Sequence, residues 1–147
     1  SDLHNPQVLQ HALARYLAQG RFAAHLRSTI ALYRERRDHM ASSLRRFFPA
    51  ETAWTLPRGG LCFWITLPPS MRSHELYIAA IERGVAFAPG HVFCPEQQTQ
   101  HHLRLSFAAH EPEAIERGVM ILGEVLHQQI SRQRNTQRRS LCDVPMV

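Results

Sequence analysis

The sequence predicts an α+β domain: a small, mainly antiparallel sheet covered on one face by helices and preceded by a long helix. Three observations predict it. Apolar residues recur at helical spacing in the first third and at the end of the chain. In the middle they alternate with a period of two. Proline and glycine punctuate the segments between.

Residues 6–19 suit a helix: Val8, Leu9, Ala12, Leu13, Tyr16 and Leu17 keep helical spacing, Pro6 fits a first position and Gly20 ends the run. Residues 22–48 suit a long helix whose stripe is Leu26, Ile30, Tyr33, Met40, Leu44 and Phe47, broken by Arg37 and closed by Pro49. Residues 53–56 and 61–67 read as strands about a Pro57-Arg58-Gly59-Gly60 turn. In the second strand Leu61, Phe63, Ile65 and Leu67 face one way, and Cys62, Trp64 and Thr66 the other. Both sets are largely apolar near the centre, which predicts an interior strand.

Ser73 suits the N-cap of a helix over about 74–83, with Glu75 in its first turn and Gly84 at its end. Residues 85–88 form a short strand, Pro89-Gly90 a turn and 91–101 a polar loop. Residues 102–107 alternate: Leu103, Leu105 and Phe107 on one face, His102, Arg104 and Ser106 on the other. Pro112, Glu113 and Glu116 open a last helix to about Ile130, striped by Ile115, Val119, Leu122, Leu126 and Ile130; Gly118 and Gly123 weaken it. Residues 131–140 are polar, basic and aperiodic, and read as a disordered, solvated tail rather than a nucleic-acid contact.

The 147 residues, 44% hydrophobic, allow one core of ordinary size. No apolar run approaches a membrane span, and the polar N-terminus has no leader pattern. Cys62, Cys94 and Cys142 lie far apart, which argues against a disulfide framework or a structural zinc and fits a reducing, cytoplasmic setting. Cys94, on the polar loop, is the candidate reactive thiol, although nothing near it in sequence favours the thiolate. Adjacent His101 and His102 would point to opposite faces of a strand and share no metal easily. The formal charge is +5, and the 17 basic residues besides histidine are all arginine: the chain contains no lysine.

Four blocks then fall in a telling order. Tyr33-Arg34-Glu35-Arg36-Arg37-Asp38 is followed by Pro57-Arg58-Gly59-Gly60-Leu61-Cys62-Phe63-Trp64, by Gly84-Val85-Ala86-Phe87-Ala88-Pro89-Gly90-His91-Val92-Phe93, and by Leu103-Arg104-Leu105-Ser106-Phe107. Together they resemble the C-terminal small domain of fold-type I pyridoxal-phosphate (PLP) aminotransferases of class I and II, over roughly residues 6–130. The resemblance implies that 1–21 belong to the end of the large domain and the interdomain region, that 22–130 form the small domain and that 131–147 are the tail. It also implies that Arg104 binds the α-carboxylate of an amino-acid substrate. A guanidinium suits that role because its planar fork holds a carboxylate at two points and stays charged. The plain alternative for Arg104 is an ordinary surface arginine.

Gly59 and Gly60, with Pro89 and Gly90, fall where the resemblance places the rim of the active site, although turn formation alone accounts for them. Phe63 and Trp64 read as core. PLP needs a lysine amine to hold it; with none here, the resemblance implies a fragment whose PLP-binding large domain lies upstream, and which alone neither holds PLP covalently nor transaminates. The parent would be a homodimeric aminotransferase exchanging an amino group between an amino acid and a 2-oxo acid. The alternative is the effector domain of a GntR/MocR-type transcription regulator, which resembles the same enzymes, senses an amino acid and touches DNA through a separate head. An interaction module unrelated to PLP is the third reading.

Overall fold

A computed structural model describes residues 6–93 and 99–142, with the side chains of the last helix described through residue 135. Cys94 and the ends of the chain, 1–5 and 143–147, lie outside the described residues. Contacts divide the chain into two compact units, Ser1–Glu35 and Arg36–Val147, at a point inside its second helix.

The first unit holds α1 (Gln7–Ala18) and the opening turns of α2 (Arg21–Phe47). The apolar spacing that predicts α1 buries nothing: Val8, Leu9, Leu13 and Leu17 are all exposed, and so are Leu26 and Ile30 in α2.

The second unit contains the sheet and the core. Its elements are the rest of α2, β1 (Ala53–Trp54), β2 (Cys62–Thr66), α3 (Ser73–Ile81), β3 (Ala88–Pro89), a 3-10 turn (Gly90–Val92), β4 (His102–Ser106) and α4 (Pro112–Cys142). The strands run in the order β1-β2-β4-β3, every neighbouring pair antiparallel. β2 is interior, as its composition predicts. Phe63, Ile65, Leu103, Leu105 and Phe107 are buried on one face, where Phe63 meets the edges of both Trp54 and Phe107. Met40, Ala41 and Leu44 of α2, Leu76 and Ala80 of α3, and Ile115, Val119, Leu122, Val125 and Leu126 of α4 join them in the core, with Phe48, Leu67 and Met71 from the connections. Their burial is the main favourable term, about 25 cal/mol per Å² of apolar surface.

The elements differ from expectation where backbone bonding decides. The strand predicted over 85–88 starts only at Ala88, because Val85 still closes α3. The amide of Val85 donates to the carbonyl of Ala80 and that of Gly84 to Ile81, with Gly84 at φ +78°, a Schellman ending. Ser73 is the first residue of α3 and not its cap. Arg72 occupies the cap position, the Ser73 amide donates to the Gln100 carbonyl (2.8 Å), and no cap side chain bonds the helix. α4 does not stop near Ile130 but continues to Cys142, so residues 131–142 are helical and not a disordered tail. Partners reward the extension: Gln133 exchanges hydrogen bonds with Ser70, and Arg134 pairs with Glu51 at 2.5 Å. In α2 the buried arginine is Arg36; Arg37 is partly exposed, pairs with Asp38 and reaches the Pro57 carbonyl at 3.4 Å.

Candidate functional site

The face of the sheet opposite the core is the open one. Its centre is built from β2 and β4 in antiparallel register: Cys62 opposite Ser106, Trp64 opposite Arg104, Thr66 opposite His102. None of these six residues is buried. The alternation that sends Leu103 and Leu105 into the core sends Arg104 out, flanked by Trp64 across β2 and Ala88 across β3.

Aromatic rings line this face. Trp64 stacks on His102, with centroids 5.6 Å apart and planes 21° from parallel. Trp64 also meets Phe93 edge to face at 5.7 Å. Phe93 in turn lies under Arg104, whose guanidinium carbon is 4.4 Å from the ring centroid. Trp64 is therefore not core, as its sequence suggests, but 41% exposed, while Phe63 is fully buried. The arrangement can bind an anion. Arg104 makes no hydrogen bond or ion pair with the described residues, so its donors are uncommitted, and the ring it lies over, Phe93, offers no polar atom.

Pro89 and Gly90 are buried at the edge of the face. A Cβ on Gly90 would collide with the Thr99 carbonyl oxygen and stand 2.8 Å from that of His102, so glycine lets the 3-10 turn lie against the strand. The Phe93 amide closes that turn on the Gly90 carbonyl at 3.0 Å. Gly59 and Gly60 are exposed in the connection between β1 and β2, with open space around both.

His101 and His102 diverge as expected: the Nδ1 of His101 lies 2.6 Å from the Met71 carbonyl, whereas His102 joins the aromatic line. Among the described residues no group of three or more histidine, cysteine or acidic side chains is placed to hold a metal ion, and no helix is long and apolar enough to cross a membrane. The sequence assigns Phe93 no role and reads Trp64 as core. Strand alternation does put Trp64 on the side of Arg104; nothing in the sequence brings Phe93 back over that arginine.

Residues 2–122 match the family described as aminotransferase class I and II. The chain is 36% identical over 126 residues to 2-aminoadipate transaminase of Thermus thermophilus, covering 86% of this chain and 32% of that protein. It is 29% identical over 124 residues to the HTH-type transcriptional regulator TauR of Rhodobacter capsulatus, 84% of this chain and 25% of that one. Among solved structures it is similar to LysN, the α-aminoadipate aminotransferase of Thermus thermophilus complexed with N-(5'-phosphopyridoxyl)-L-leucine. There the TM-score is 0.79 at 35% identity, over 88% of this chain and 33% of that one. The chain thus spans about a third or less of the length of these relatives.

Proposed function

The chain belongs to the aminotransferase class I and II family, and from that premise we propose that it supplies the carboxylate grip of a PLP-dependent aminotransferase. Arg104 holds the α-carboxylate of the amino acid whose amino group is exchanged with a 2-oxo acid. The observation that supports this is a guanidinium on the open face of the sheet with no polar partner among the described residues. A free fork on a strand can take both oxygens of a carboxylate and fix the direction in which the rest of the substrate points. Pro89 and Gly90 shape the edge of this face, and Gly59 and Gly60 are its more distant rim.

The residues present do not fit the cofactor's anchor: covalent attachment of PLP takes a lysine amine, and this sequence has none. The anchor has to come from outside the chain, and the work proposed for these residues is binding and orientation. The partners of such a protein are an amino acid, a PLP-binding large domain and a second subunit.

A direct test is an NMR titration of the chain, following the Arg104 Nε–H with L-leucine and with L-leucinamide, which lacks the carboxylate. L-leucine should shift the signal saturably and leucinamide should not, and Arg104→Ala should remove the response of the neighbouring Trp64 and His102 signals. In the whole protein Arg104→Ala should weaken amino-acid binding by about tenfold or more and leave cofactor attachment intact. An equal response to leucinamide, or full binding by the alanine variant, overturns the reading.

A second reading is favoured by the similarity to TauR: the same grip in the effector domain of a GntR/MocR-type regulator, which senses an amino acid without turning it over. Specific DNA binding by the whole protein, with no transamination, would select it.

A further inference from the structure

An exposed arginine is a poor receptor unless something restrains it. Its side chain has many rotamers, and a ligand that has to order it binds more weakly for that reason. Arginines are commonly held by a carboxylate, which occupies the donors that a ligand needs. Arg104 is held differently. Its guanidinium carbon lies 4.4 Å from the centroid of the Phe93 ring, well inside the distance over which a cation is attracted to an aromatic face. Such a contact restrains the charge and leaves free the in-plane hydrogen-bonding positions that an acidic neighbour would fill.

Phe93 is itself fixed from two sides. Its backbone closes the turn on Gly90, and the turn lies against the strand because Gly90 has no side chain to hold it off. Its ring meets Trp64, which also stacks on the ring of His102. His102 and Arg104 both project from β4, and Trp64 is the register partner of Arg104. The line His102–Trp64–Phe93–Arg104 therefore starts and ends on the same strand, two residues apart on the open face.

We propose that Phe93 is the positioning residue of Arg104: supported by Trp64, its ring holds the guanidinium in one place and keeps its donors available for a carboxylate. The consequence for ligand binding rests on the carboxylate reading of Arg104; the restraint itself does not.

The experiment has two arms on the labelled chain. The first needs no ligand. Relaxation of the arginine Nε–H groups is measured with Arg36, buried and hydrogen-bonded, as the rigid reference, and exposed Arg58 as the mobile one. Arg104 should lie near Arg36, move to the Arg58 range in Phe93→Leu, return in Phe93→Tyr and loosen part-way in Trp64→Leu. Phe93 is 44% exposed, so these variants should keep the fold, and a dispersed spectrum checks it. Should Phe93→Leu unfold, the Trp64→Leu and Phe93→Tyr comparison carries the arm. An Arg104 as mobile as Arg58 in the unaltered chain, or unchanged in folded Phe93→Leu, overturns the proposal.

The second arm reads affinity for L-leucine, which Phe93→Leu should weaken about two- to fivefold and Phe93→Tyr should restore. If Arg104→Ala leaves L-leucine binding intact while Phe93→Leu still frees Arg104, the carboxylate reading has failed and the positioning role stands. If Arg104→Ala abolishes binding and Phe93→Leu changes neither mobility nor affinity, the reverse holds.

Discussion

The Nη1 of Arg36 donates to the carbonyl of Ala108 across 2.6 Å, and its Nη2 pairs with Glu111. Arg36 is only 8% exposed. One buried side chain thus ties α2 to the segment that leaves β4, two residues beyond the strand that carries Arg104. Arg36→Met should cost about 2–3 kcal/mol, because it leaves a carbonyl without its charged donor. Glu111→Gln should cost less than about 1 kcal/mol, since the Glu111 side chain is 70% exposed. Urea unfolding of both variants, with slopes unchanged, measures the difference. Equal losses would mean that the ion pair, and not the carbonyl bond, is the tie.

Two glycines in α4 should respond with opposite signs. A Cβ at Gly118 meets open space, so Gly118→Ala should stabilise the helix by about 0.5–1 kcal/mol. A Cβ at Gly123 would collide with the Phe47 carbonyl oxygen and stand 3.0 Å from its carbon. The same substitution there should destabilise by about 1–3 kcal/mol, forcing α4 away from the end of α2. Thermal melting of the two single variants decides, and a gain at Gly123 would contradict the close approach.

Ser73 separates the sequence reading from the structural one. An N-cap serine contributes about 1 kcal/mol that alanine loses. Among the described residues the Ser73 hydroxyl instead is buried without a hydrogen-bond partner, a state that costs stability. Ser73→Ala should therefore be neutral or stabilising by up to about 1 kcal/mol. A loss of that size would restore the capping role.

What the sequence made legible follows from how local each cause is. Strand alternation alone placed Leu103 and Leu105 inside and Arg104 outside. Helical spacing found Ile115, Val119, Leu122 and Leu126 of α4 but missed Val125 and included half-buried Ile130, and it gave α1 a stripe with no buried residue, because periodicity reports an apolar face and not what covers it. The cap at Ser73 failed for a distant reason, the Gln100 carbonyl that takes its amide. The helical path of 131–142 has distant partners too, Ser70 and Glu51. Arg36 and Arg37 are adjacent and alike in chemistry; the first is the buried one, and its partners Ala108 and Glu111 are distant in sequence. At the candidate site, the motif carries an expectation for Arg104 and none for Phe93, since a loop has to return to the sheet to bring Phe93 there.

Gly90 gives the most direct test of how that return is made. Alanine at this position has to displace the backbone of Thr99 or His102, or lift the turn, and neither neighbour is the end of a flexible side chain. Gly90→Ala should cost about 1–3 kcal/mol and should also loosen Arg104, because Phe93 hangs from the same turn. Gly60 is the control. It adopts φ +74° in open space, so Gly60→Ala should cost about 1–2 kcal/mol through backbone strain alone. Arginine Nε–H relaxation then separates the two, with Arg104 freed in Gly90→Ala and unchanged in Gly60→Ala. If both variants free it, the arginine is responding to general loss of stability. If neither does, Phe93 is held by Trp64 alone, and the turn contributes to the fold without positioning the site.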